Sequence, residues 1–140
     1  MAAKNANKTL GKSRQTNRNA PEYTNPRTGM ELEDVKQDLA ENLLYVLGKP
    51  PALATPHDCY KAVAYSVRNR LMKRWIASTE NFLKSKTRAV CYFSAEFLIG
   101  PQLYRNLINL DMVATMKQAV KEFNLDLNQI IEEEQELRAG

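Results

Sequence analysis

Glu96 is the residue of this chain best placed to do chemistry. It lies within A-V-C-Y-F-S-A-E-F-L-I-G, residues 89–100, an otherwise apolar run rich in Val, Tyr and Phe. A carboxylate at the end of a dry strand costs several kcal/mol to bury unless it is hydrogen-bonded, so it is kept either for a structural network or for a site. The other candidates are weaker. His57 is the sole histidine and has no neighbouring ligand type, which makes it a surface residue. Cys59 and Cys91 show neither a CxxC nor metal-ligand spacing. Cys91 falls inside the apolar run and reads as a reduced, buried thiol in a cytosolic protein. Arg68, Arg70, Lys73 and Arg74 form a basic set that could meet an anion. No aromatic interleaving or groove-reading module accompanies them, so a solvated helix face is the simpler reading. The glutamates of 132–136 read as a wet helix surface. No Ser-His-Asp set, Walker loop or GxGxxG is present.

The elements that must position Glu96 follow from periodicity. The run 89–100 suits a strand covered on both faces, the pattern of a central parallel strand. Ligands in such sheets bind at the carboxyl ends of strands, which is where Glu96 falls. No second convincing strand occurs in the 140 residues. A lone buried strand cannot satisfy its own backbone groups, so its sheet partners are expected outside this chain.

The rest of the pattern is helical. A first helix is predicted over about Met30 to Leu47, opened by a Thr28–Glu31 capping box and carrying Leu32, Val35, Leu39, Leu43 and Val46. Gly48 and Pro50-Pro51 stop it. A second helix is predicted from Thr55 as cap and Pro56 at the first position, with Asp58 completing a T-x-x-D box. It continues without Gly or Pro to about Lys84, about 29 residues or roughly 43 Å. Tyr60, Ala64, Val67, Leu71, Trp75 and Phe82 mark its apolar stripe. So long a helix exceeds what one small core covers, and part of it is expected to face another subunit. Pro101 opens a third helix with Leu103, Leu107 and Leu110. Asp111 caps a fourth with Val113, Met116, Val120 and Phe123 inside, and Asp126 opens a fifth. The fold class expected for the chain is therefore mainly α, with about five helices and one strand.

Composition sets further limits. An apolar content of 44% with 26% charged residues is that of a soluble globular protein. No apolar run approaches the roughly 18 residues of a membrane span, so no membrane partner is expected. The net charge of +4 belongs to the beginning of the chain. Lys4, Lys8, Lys12, Arg14, Arg18 and Arg27 stand there against Glu22 alone, and the remainder is close to neutral. Residues 1–28 read as a basic, disordered tail, and 29–140 as the ordered unit.

Two blocks resemble a known family. A-T-P-H-D-C-Y-K-A-V-A-Y-S-V-R-N-R-L-M-K-R-W-I (54–76) and Y-F-S-A-E-F-L-I-G-P-Q-L-Y-R-N-L-I-N-L (92–110) are similar to the amino-terminal region of α-glucan phosphorylases, in a version that looks more bacterial than animal. The resemblance extends more loosely from about residue 30 onward. It implies a fragment of an α/β enzyme of two Rossmann-like domains, the GT-B glycosyltransferase type. Such an enzyme cleaves α-1,4-glucan with inorganic phosphate to give glucose 1-phosphate. It also implies a pyridoxal phosphate cofactor on a lysine of the other domain, a cytoplasmic location and a homodimer. By the same resemblance Glu96 lines the glucosyl pocket, and Arg68, Arg70, Lys73, Arg74 and Trp75 lie near the subunit contact. The glycine-rich loop, cofactor lysine and phosphate-binding residues of the family have no counterparts here. The chain alone is therefore expected to be inactive and to bind no pyridoxal phosphate. Thr79, Glu80 and Leu83 stand where animal members carry the Gln-Gln and Tyr of a nucleotide effector site, which argues against that site. The alternative is a non-enzymatic helical module that binds an anionic partner through the tail and the Arg68–Arg74 face. No nucleic-acid partner is expected under the leading reading.

Overall fold

The computed structural model describes residues 25–85, 87–93 and 101–134. Five α-helices make up most of this part: α1 (Leu32–Glu41), α2 (Pro56–Ser85), α3 (Leu103–Asn109), α4 (Val113–Glu122) and α5 (Leu127–Glu132). A 3-10 turn over Pro26–Thr28 precedes α1, a π turn over Asn42–Val46 extends it, and a 3-10 turn over Pro51–Leu53 precedes α2.

The α2 start forms as its sequence predicts. The Thr55 hydroxyl accepts from the Asp58 amide at 3.2 Å, and the Asp58 carboxylate accepts from the Thr55 amide at 3.0 Å. Two otherwise orphaned donors are thereby satisfied reciprocally. The end of α1 also follows expectation. Gly48 takes a left-handed φ of 64°, and the Lys49 amide returns to the Leu43 carbonyl at 2.8 Å. Glycine reaches that conformation without a Cβ penalty.

The start of α1 differs. Thr28 does not cap it, because its hydroxyl donates to the Asn25 carbonyl within the preceding turn. Residues 25–28, which composition assigns to the tail, form that turn, with the Asn25 side chain accepting from the Arg27 amide. Arg27 then pairs with Glu41 at 3.1 Å. Gly29 lies so close to Asp34 that a Cβ there would run into its side chain. The basic tail ahead of Asn25 lies outside the described residues.

One core holds the five helices. Val35, Leu39 and Leu43 face Cys59, Ala62, Val63 and Val67 of α2, and Leu107, Met112, Met116, Val120 and Ile130 close the other side. Full burial of such a side chain contributes about 1.5–3 kcal/mol. Lys36 adds an ion pair from α1 to Glu122 of α4 at 2.6 Å. Asp111 does not cap α4. It takes a left-handed φ of 57° in the turn that ends α3, where the Met112 amide returns to the Leu107 carbonyl. Aspartate tolerates that conformation better than most residues, so one sequence signal had two structural uses. The α4 inner face holds Met116 and Val120 as expected, with Ala119 beside them.

The α2 stripe is rotated from its predicted line. The buried positions are Cys59, Ala62, Val63, Ser66, Val67 and Arg70, while Tyr60, Ala64 and Leu71 are only partly covered. Beyond Leu71 the helix has no core against it. Trp75 is 67% exposed, and Ile76, Phe82 and Leu83 are exposed with it.

The predicted strand is corrected. No strand occurs among the described residues, and 87–93 carries no regular structure. Val90 is 94% and Phe93 91% exposed, and Cys91 is exposed rather than buried. A lone apolar segment has no ladder to satisfy its backbone groups. The rest of that run, 94–100, lies outside the described residues.

Candidate functional site

The most built-up polar feature is a buried knot where the 25–29 turn, α1 and α2 meet. Its centre is Arg70, only 2% exposed. Arg70 Nη1 donates to Asp38 Oδ2 at 2.7 Å and to the Ser66 carbonyl and hydroxyl at 3.0 and 2.8 Å. Its Nε donates to the Gly29 carbonyl at 2.8 Å. Asp38 Oδ1 accepts from Asn42 Nδ2 and Asn69 Nδ2 at 3.2 and 3.3 Å. Arg70 Nη2 is enclosed with no hydrogen-bond partner. The carboxylate neutralises the guanidinium, and the knot contains no nucleophile or base free to act on a substrate. It is a structural latch.

This alters the predicted basic set. Arg70 is inside the protein and unavailable to a partner. Arg74 is exposed and donates to the Asn109 carbonyl at 3.2 Å, tying α2 to the end of α3. Arg68, Lys73 and Trp75 remain exposed. The five residues therefore do not form one face. Glu96 lies outside the described residues. His57 is half-buried and stacks on Tyr60, with ring centroids 5.9 Å apart.

A second polar feature was not apparent from sequence. Glu134, from the acidic run read as wet surface, accepts from the Gln102 amide at 2.8 Å and the Leu103 amide at 3.1 Å. Those amides open α3, whose Gln102 side chain makes no capping bond. The available signal was that uncapped start: Gly100-Pro101-Gln102 offers no Ser, Thr, Asp or Asn, so the first amides need an acceptor from elsewhere.

Titration shifts follow from local partners. The Thr55 amide, then its hydroxyl, hold Asp58 below the usual carboxylate range. The Gln37 amide, with Arg27 behind it, does the same for Glu41. Glu122 first, then Glu33, hold Lys36 above the usual lysine range. Burial raises the Cys59 thiol, disfavouring the nucleophilic thiolate. Burial, then the charge of Glu134, raises Tyr60.

The two lowered carboxylates give a sign. Each binds protons more weakly folded than unfolded, so its stabilisation is complete above the unfolded pKa of about 4 and is lost as pH falls through the folded value. The midpoint of thermal unfolding is expected to decline below about pH 4.5, with a shallower slope in Asp58→Ala. Circular dichroism melts between pH 3 and 7 measure both.

Among the described residues no group of three or more His, Cys, Asp or Glu could hold a metal ion. Nor do they fit pyridoxal phosphate. A Schiff-base lysine needs an enclosed amine, whereas Lys36 is engaged by two glutamates, Lys61 is only half-buried, and Lys49, Lys73, Lys84, Lys117 and Lys121 are exposed. No helix among the described residues is long and apolar enough to cross a membrane.

Comparison with known proteins gives this helical unit its class. No family model matches the chain. Glycogen phosphorylase of Synechocystis is 48% identical over 114 residues, which is 81% of this chain and 13% of that protein. The glycogen phosphorylase of Chlamydia pneumoniae is 30% identical over 111 residues, 79% of this chain and 14% of that protein. The muscle form of sheep, Ovis aries, is 31% identical over 107 residues, with 76% and 13% covered. The unit is thus a segment of a carbohydrate phosphorylase. It belongs, more particularly, to the glycogen phosphorylase family, as an amino-terminal segment. The chain spans 13% to 14% of the length of these relatives.

Proposed function

We propose that this chain supplies the amino-terminal part of the first domain of an α-1,4-glucan phosphorylase. That enzyme is cytoplasmic, works in carbohydrate metabolism and has the two-domain GT-B architecture. In the reaction a phosphate oxygen bonds to the anomeric carbon of the terminal glucose. The α-1,4 bond breaks, and the departing 4-oxygen takes up a proton. Glucose 1-phosphate and a glucan shorter by one residue result. Pyridoxal phosphate supplies acid–base chemistry through its phosphate and is held by a lysine of the other domain. The part of this chain is to build a wall of the glucosyl pocket with Glu96 and to carry that wall on the α1–α5 bundle.

The observation that carries this reading is the 48% identity to the Synechocystis enzyme across 81% of the chain. The fold supports it physically. The α2 arm beyond Leu71 and residues 87–93 present large apolar side chains with no cover, as expected of a surface shaped for further polypeptide. Lys73, Arg74 and Trp75 lie on that exposed arm and Arg68 is exposed just ahead of it; these four side chains are the proposed subunit contact of a homodimer. Burial of Arg70 and engagement of Arg74 thin the basic face that an anion-binding module would need.

The test is a chimera of the Synechocystis enzyme in which this chain replaces the 114-residue matched stretch. Loss of a charged hydrogen-bonding group from a pocket costs about 10–100-fold. Glu96→Gln in the chimera is therefore expected to lower kcat/KM for glucose 1-phosphate release by about that factor. An unchanged value in Glu96→Gln would remove Glu96 from the pocket.

A further inference from the structure

We infer that the turn over residues 25–29 is a strap that opens independently of the helical bundle, and that Asp34 is the group poised to replace it on Arg70. The strap brings nothing apolar to the core. Pro26–Thr28 has no buried residue, Asn25 is exposed and Gly29 is only half-buried. Among the described residues, two polar contacts tie the strap down. Arg27 meets Glu41 at 3.1 Å with both side chains part-exposed, and the Gly29 carbonyl accepts from Arg70 Nε at 2.8 Å. An ion pair in contact with water holds weakly. Lifting the strap uncovers a polar knot and leaves the apolar core of the bundle closed. That is the pattern of a segment that opens at a lower free energy than the whole fold.

The replacement partner is already beside it. Nε and Nη2 of a guanidinium share one edge, which matches the two oxygens of a carboxylate. In Arg70 the Gly29 carbonyl takes the Nε donor, and Nη2 on the same edge has no partner. Asp34 lies about one helical turn before Asp38 on α1. It is half-buried, with its carboxyl group against Gly29, where a Cβ would meet it. Gly29 thus touches both the carboxylate and the edge that fits it. With the strap lifted, Asp34 closes on Nε and Nη2, and Arg70 exchanges one neutral acceptor for two charged ones. Asp38 stays on Nη1 in both states. The closed state is held by the Gly29 carbonyl and the Arg27–Glu41 pair, the open state by Asp34, and the balance between them is set by those few contacts. This device is independent of the phosphorylase reading.

Amide hydrogen exchange of the 140-residue chain, followed by mass spectrometry at a dilution where the α2 arms do not associate, tests both parts. The Thr28 and Gly29 amides bond to the Asn25 and Pro26 carbonyls within the strap. They are expected to be less protected than Val63 and Val67 of α2 by about 100-fold or more. Glu41→Gln weakens the Arg27 tie and should lower strap protection by about two- to five-fold. Asp34→Asn keeps the side-chain shape but cannot neutralise Arg70, so it should raise strap protection by about five-fold or more. The sign is diagnostic, because a carboxylate that merely packed against the closed strap would leave protection unchanged or lower it on removal. Val63 and Val67 should stay within about two-fold in both variants, as a control for folding. Strap amides as protected as Val63 and Val67 in the native chain overturn independent opening. Strap protection unchanged or lowered in Asp34→Asn overturns the exchange of partners on Arg70.

Discussion

Asp38→Ala lowers the unfolding free energy of the 140-residue chain by about 3–5 kcal/mol, the cost of stranding a buried guanidinium without its counter-charge. Asp38 and Arg70 are both essentially inaccessible and 2.7 Å apart. Removing the carboxylate leaves Arg70 Nη1 with only the Ser66 oxygens, and Asn42 and Asn69 lose their shared acceptor. Against a typical domain stability of about 5–15 kcal/mol, that loss is a large share of the total. Asp38→Leu combined with Arg70→Met is expected to cost less, because it removes both charges and the unpartnered Nη2, and leaves only neutral groups (Asn42, Asn69, Ser66 and the Gly29 carbonyl) without their partners. Urea unfolding followed by circular dichroism separates the cases: the midpoint falls further in the single variant than in the double, at unchanged m-value. A single variant as stable as the native chain would mean the knot is not formed in solution.

The second large effect concerns the uncovered arm. Trp75, Ile76 and Leu83 on α2, with Val90, Tyr92 and Phe93 beyond it, expose apolar surface that the chain's own core does not reach. The isolated chain is therefore expected to bind a hydrophobic dye and to self-associate at tens of micromolar, while its bundle unfolds cooperatively. Trp75→Glu with Leu83→Glu should abolish association and leave the melting midpoint nearly unchanged, since both side chains are exposed. Sedimentation velocity measures this. A native chain that stays monomeric and dark to the dye would show that the arm folds back to cover itself.

Legibility from sequence followed the range of the interaction. The α2 cap was readable because Thr55, Pro56 and Asp58 act within one turn. Gly48 was readable because few other residues take its φ so easily. The α4 face was readable from spacing alone. Arg70 was not, because its partner Asp38 lies 32 residues away and nothing local distinguishes it from Arg68 or Arg74. Thr28 and Asp111 misled for another reason: each is a strong cap former that a neighbouring turn claimed instead. The strand failed on cooperativity. Residues 89–93 have the composition of a buried strand, but strand structure is a property of a sheet, and the described residues contain none to join. With no sheet to join among the described residues, Val90 and Phe93 are left exposed.

The most direct measurement is glucose 1-phosphate release from α-1,4-glucan and inorganic phosphate by two purified proteins, this chain alone and the Synechocystis enzyme carrying it in place of its matched stretch. No release is expected from the chain alone, and release by the chimera is expected within about ten-fold of the native Synechocystis enzyme, a difference of about 1.4 kcal/mol in activation free energy. Turnover by the chain alone, or a soluble, cooperatively folded chimera that releases none, would contradict it.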